Sequence, residues 1–182
     1  TRFLAARGVL YRPVMPPRYD LYLAARDPLL GWPSPQTFGK GGERDARGAR
    51  VSRLAGPAAL SVYGDSFTWG SEVPDESCWV ERLGERTGAR ALNFGVGGYG
   101  TDQAVLRHER NVKERLDDAP RTLLVIQPEN VLRNLNRYRA LLYPGETTGF
   151  KPRFVLRDGA PVLLPMPDVA ESDIAAFVRR PM

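Results

Sequence analysis

From Pro57 onward, short apolar runs alternate with stretches of helical spacing. Ala58-Ala-Leu-Ser-Val-Tyr63 is an apolar run that stops at Gly64, the pattern of a buried parallel strand. Glu76 to Thr87 predicts a helix, with Cys78, Trp79 and Leu83 at helical spacing and Gly88 as its stop. Ala91-Leu-Asn-Phe94 predicts a second strand leading into the glycine loop Gly95 to Gly100. Thr101 is the expected N-cap of a helix running to about Asp117, with Ala104, Val105 and His108 among its buried positions. Thr122-Leu-Leu-Val-Ile-Gln127 is the third strand and the most β-like segment of the chain. Strands and helices alternating in this way imply βαβ units and a mostly parallel sheet with helices on both faces. All three strand ends then meet at one edge, where ligands bind in open α/β sheets.

Outside this core the pattern thins. Residues Thr1 to Gly56 are rich in Arg, Pro and Gly, with short apolar patches such as Asp20-Leu-Tyr-Leu-Ala24. This stretch is expected to be an N-terminal arm or cap packed on the domain spanning 57–182. Within it, Gly39 to Gly48 reads as an exposed loop because it has little to bury. Near the other end, Arg153 to Arg157 and Ala160 to Leu164 flank Asp158-Gly159. That dipeptide suits a two-residue type I′ turn, so 153–164 predicts a β-hairpin.

Charge changes the picture only for the arm. The formal net charge is +5, yet ten Lys and Arg face four Asp and Glu up to Gly56, whereas the remainder holds 16 against 17. The domain is near neutral, and the arm has no heptad, zinc spacing or aromatic-basic platform that would argue for nucleic acid. Nucleic acid is therefore not an expected partner. Cys78 is the only cysteine, which excludes an internal disulfide and a cysteine-based metal site. No apolar run approaches the roughly 18 residues of a membrane helix. The chain opens on Thr1 rather than Met, so membrane contact through a removed leading segment stays open.

The unusual residues cluster at the expected strand ends. Gly64-Asp-Ser-Phe-Thr-Trp-Gly70 lies between a strand and a helix. A serine on such a turn exposes its hydroxyl, and its backbone N–H can point at an oxyanion. Asp65 precedes it and is expected to fix the turn by accepting backbone N–H bonds. Asn93-Phe-Gly-Val-Gly-Gly-Tyr-Gly100 offers backbone amides that can approach a ligand closely. Gly95, Gly97 and Gly100 also meet a dinucleotide-loop spacing, but the ribose-binding acid expected about 20 residues later has no counterpart. Gln127-Pro-Glu-Asn130 then brings a side-chain amide to the same edge.

Taken together, Gly64-Asp65-Ser66, Asn93-Phe-Gly-Val-Gly-Gly98 and Glu129-Asn130 resemble, in order, the first three sequence blocks of the SGNH hydrolases, the GDSL-like esterases. The resemblance implies an α/β fold of three αβα layers with a mostly parallel, flavodoxin-like sheet. It implies Ser66 as nucleophile, with Gly98 and Asn130 as backbone and side-chain oxyanion donors, and it calls for no cofactor and no metal. The Asn130 amide is then expected beside the Ser66 hydroxyl and the Gly98 N–H. Asp27-Pro-Leu-Leu-Gly-Trp32 and the hairpin around Gly159 are similar to features of bacterial members that modify or trim acylated carbohydrates. The implied partner is a small ester or acylated carbohydrate, in a bacterial envelope or secreted setting, with hydrolysis or acyl transfer as the reaction.

Two departures stand against the family pattern. In the third block Pro128 replaces a glycine and Val131 an acid. More seriously, the family's Asp-x-x-His block, which supplies the base and its orienting acid, is missing. The single histidine, His108, falls about two turns into the helix after the glycine loop and is expected to point away from the site. The chain therefore reads either as a fragment or as a non-catalytic, ester- or glycan-binding member. The fragment is favoured because 126 residues follow Gly56, enough for three strands and a hairpin but short of a five-stranded sheet.

Overall fold

The computed structural model describes residues 26–31, 42–138 and 149–173. The apolar run after Pro57 forms β1 (Ala58–Tyr63), followed by the four-residue helix α1 (Ser66–Trp69) and a 3-10 turn at Asp75–Ser77. Next come α2 (Trp79–Thr87), β2 (Arg90–Asn93) and α3 (Thr101–Lys113). Then follow β3 (Thr122–Leu124), α4 (Pro128–Leu135), β4 (Arg153–Arg157), β5 (Ala160–Leu164) and a 3-10 turn at Glu171–Asp173.

β2 and β3 both pair with β1 in parallel, giving the order β2-β1-β3 with Val62 opposite Asn93 and Leu123. The fold is mixed α/β. Neighbouring residues of a strand face opposite sides of a sheet, and the core follows that rule. Val62 packs with Cys78, Val80 and Ala91, while Tyr63 packs with Ala49, Leu92, Phe94 and Ala104. Thus α2 covers one face and α3 the other. A third cluster joins Leu30, Val96, Tyr99 and Leu106, with Phe154 and Leu163 of the hairpin against it.

Local sequence explains most boundaries. Gly88 ends α2 in the left-handed region at φ 65, a conformation that favours glycine. Asp158 and Gly159 both have positive φ, 51 and 78, as a type I′ hairpin turn requires. The antiparallel register then runs from Arg157 opposite Ala160 to Arg153 opposite Leu164. The helix expected from Glu76 begins instead at Trp79, after the 3-10 turn. Thr101 is the first helical residue of α3 rather than its cap, since Gly100 takes the cap position and its N–H donates to Gln103 Oε1 at 3.2 Å.

Two expectations fail for reasons of context. The third strand pairs only over Thr122–Leu124, because Gln127 caps α4 and Pro128, at its first turn, begins the helix. Among the described residues it lies at the sheet edge, with Leu123 and Ile126 exposed. Residues 42–48 are a half-buried loop, with only Glu43 and Ala46 exposed. Asp45 Oδ1 accepts the Arg47 and Ala49 amides, each at 3.0 Å, and Gly48 is half-buried with its carbonyl accepting from Arg44 and Arg107. The patch Asp20 to Ala24, Trp32 and residues 39–41 lie outside the described residues.

The glycine loop lies against α1. A Cβ at Gly95 would come within 2.4 Å of Trp69 N and 2.9 Å of Asp65 O, backbone atoms that cannot swing aside. Gly95→Ala is therefore expected to destabilise the fold by about 1–3 kcal/mol, the usual range for overpacking. Urea denaturation should show a lower midpoint at unchanged slope, and an unchanged midpoint would refute this close approach.

Candidate active site at the carboxyl edge of the sheet

Ser66 opens α1 directly beyond the carboxyl end of β1. Asp65 caps the helix, accepting the Phe67 amide at 3.0 Å, and Gly70 closes it at φ 77. Ser66 is half-buried, and among the described residues neither its hydroxyl nor its N–H has a hydrogen-bond partner. The neighbouring Phe67 ring is 65% exposed, leaving an apolar surface beside the serine. Trp79 donates its Nε1–H to Phe67 O at 2.9 Å, tying that surface to α2.

The turn is held firmly from below. Arg50, only 3% exposed, donates to Trp69 O, to Gly70 O at 2.8 Å and to Val73 O at 2.8 Å, and pairs with Asp75 at 2.6 Å. The Asn93 amide donates to Thr68 O at 2.8 Å and accepts from the Gly95 N–H at 3.0 Å. One side chain therefore joins α1 to the start of the glycine loop. Beyond it, Val96 to Tyr99 make a tight turn closed by Tyr99 N to Val96 O at 3.2 Å. Gly98 sits at its third position with φ 84, the left-handed conformation a type II turn needs there.

The third strand end enters through Asp65. Its carboxylate, 1% exposed, accepts Gln127 Nε2 at 2.9 Å on both oxygens, Asn130 Nδ2 at 3.1 Å and Arg133 Nη1 at 2.9 Å. Asn130 and Arg133 also donate to Tyr99 O, at 3.3 and 3.1 Å. Glu129 adds a second carboxylate to Arg133 at 3.1 Å. Four elements meet in one buried network: the β1 turn, the glycine loop, the cap of α4 and α4 itself.

This geometry differs from the expectation for Asn130. Its two amide hydrogens are directed to Asp65 and Tyr99 O, and its Oδ1 accepts the Gln127 amide at 2.7 Å. Both hydrogens are engaged in this geometry, and Asn130 ties Asp65 to the Tyr99 carbonyl. The physical reason is Asp65, a buried carboxylate that needs more donors than its own turn provides. The residues that sequence reasoning missed are Gln127, Arg133 and Tyr99. The readable signal was the spacing of Asn130 and Arg133, three apart and hence on one helix face.

His108 has no bond to Ser66 or to the Asp65 network. Its Nε2 lies 3.2 Å from Thr122 Oγ1, at the amino end of β3, and its ring meets Tyr63 edge-on at 5.1 Å. Titration elsewhere follows burial. Burial pushes the Tyr99 hydroxyl up, and at the start of α3 it raises the Asp102 carboxyl and lowers its ion-pair partner Lys151. Among the described residues no group of His, Cys, Asp and Glu could hold a metal ion. No protein-family model matches the chain, and no curated protein matches its sequence.

Removing one partner of a buried ion pair leaves the other charge uncompensated, at a cost of about 3–5 kcal/mol. Arg133→Met should show that loss in chemical denaturation. Arg82→Met, which breaks an exposed pair with Glu85, should cost less than about 1 kcal/mol. Equal effects from the two would mean that Asp65 does not depend on Arg133.

Proposed function

We propose that the protein is a serine ester hydrolase of the SGNH type, with the three-layer, flavodoxin-like αβα architecture of that family. The observation that carries this reading is Ser66, at the head of a short helix beyond a central parallel strand, with hydroxyl and N–H both unpartnered among the described residues. In the proposed reaction Ser66 Oγ adds to the ester carbonyl while its proton passes to a base. The tetrahedral oxyanion takes the Ser66 N–H and, by the family resemblance, the Gly98 N–H. Collapse releases the alcohol with that proton and leaves an acyl-serine, which water cleaves, or a sugar hydroxyl in the case of transfer. An acetyl group on a carbohydrate or other small ester is the proposed substrate, with a bacterial envelope or secreted setting, all from the same resemblance.

One observation favours a second reading, an ester- or glycan-binding module without turnover. The one histidine of the chain is engaged with Thr122 and the Tyr63 ring rather than with Ser66, and a serine without a base is a poor nucleophile at neutral pH. By the family resemblance, turnover takes a histidine base at Ser66, and among the described residues Ser66 has no such partner.

Incubation of the full-length protein with a fluorophosphonate, read by intact mass, separates the readings. The hydrolase reading predicts a single adduct that Ser66→Ala abolishes. An adduct surviving in Ser66→Ala would remove Ser66 from the reaction, and saturable ester binding without any adduct would establish the binding module instead.

A further inference from the structure

A cavity of about 170 Å³ lies between the chain at 44–48 and α3. Arg44, Arg47 and Gly48 line it on one side, Arg107, Arg110 and Glu114 on the other. Its lining is thus four guanidiniums against one carboxylate. Arg107, Arg110 and Glu114 follow one another at helical spacing and share one stripe of α3.

Arg107 is the group that sets this cavity apart. Arg50, Arg107 and Arg133 are buried, and two of them pair with a carboxylate, Asp75 at 2.6 Å and Asp65 at 2.9 Å. Arg107, 2% exposed, has none among the described residues. It donates to Phe94 O and, at 2.8 Å, to Gly48 O, and its guanidinium carbon lies 5.3 Å from the Phe94 ring centroid. Its Nε is buried without an acceptor. Around it, Asp27 pairs with Arg110 at 2.6 Å and Asp118 with Arg47 at 2.5 Å, so these carboxylates are already engaged. Burial, the largest cause, lowers Arg107 and Arg44 to about 10, which leaves both cationic at pH 7. Buried charges are ordinarily paired, and this one faces a cavity rather than a counter-ion.

We propose that the cavity is a binding site for a phosphate or sulfate group, with Arg107 as its anchor and Arg44, Arg47 and Arg110 as its cationic wall. A tetrahedral oxoanion supplies both the missing negative charge and the missing acceptor, and guanidinium forks match its geometry. The volume is several times the roughly 30 Å³ that one water occupies in the liquid, which leaves room for an oxoanion carried on a small organic group. The site is built on the stripe of α3 that faces the turn at 44–48, and no residue of α1 lines it.

The test is a titration of the full-length protein with inorganic phosphate, sulfate or chloride at fixed ionic strength, reading the Arg107 Nε–Hε resonance. Phosphate or sulfate should shift it saturably and chloride should not. Arg107→Lys should weaken phosphate binding about tenfold or more by calorimetry, and Arg47→Gln, at a half-exposed position, should weaken it several-fold. If Arg107→Lys does not fold, the wild-type titration and Arg47→Gln decide the matter. Identical responses to phosphate and chloride, or affinity unchanged in Arg47→Gln, would overturn the proposal.

Discussion

A buried carboxylate must find donors or give up its charge, and Asp65 finds them in four places. The Phe67 amide, Gln127, Asn130 and Arg133 surround it. Because those donors come from its own turn and from both the cap and the body of α4, satisfying one side chain fixes the geometry of the whole carboxyl edge. The same Asn130 and Arg133 reach Tyr99 O, so the glycine loop is locked by the groups that serve Asp65. The serine at the head of α1 is thereby held by a network that never touches its hydroxyl.

This constraint also shapes α4. A surface helix normally buries its apolar stripe, yet α4 turns Asn130 and Arg133 inward and leaves Val131, Leu132 and Leu135 exposed. The arrangement follows once Asp65 and the Tyr99 carbonyl need donors. A polar inward face satisfies them, and the apolar residues are left to the outside, next to the equally exposed edge strand β3. Arg107, on the neighbouring helix α3, is the counterpart, a buried cation for which the described chain supplies carbonyls but no carboxylate.

How much of this the sequence revealed depended on whether local chemistry or tertiary contact set the outcome. The parallel strands β1 and β2, the Gly88 stop and the Asp158-Gly159 hairpin follow from short-range pattern and backbone conformation, and the structure has them where the residues indicate. The length of β3 and the inward face of α4 do not, because apolar residues at a sheet edge and on an outward helix face carry the same letters as core. Residues 42–48 looked too polar to bury, yet Asp45 and the arginine-bound Gly48 carbonyl fold them onto α3. At the site, the special turn at Ser66 and the glycine loop beside it were legible. The engagement of Asn130 was not, since it depends on Arg133 and on an Asp65 whose demand for donors appears only once three strand ends meet.

The central claim is that Asp65 couples the α1 turn to the glycine loop, and amide hydrogen exchange measures that coupling directly. In the wild type the Phe67 amide, bonded to Asp65, and the Tyr99 amide, bonded to Val96 O, should both be protected. Asp65→Ala should release both, although Tyr99 makes no bond to the substituted side chain, while amides in the middle of α2 keep their protection relative to global unfolding. Loss of protection at Phe67 with Tyr99 unchanged would contradict the account, because it would show Asp65 to be a local helix cap and nothing more.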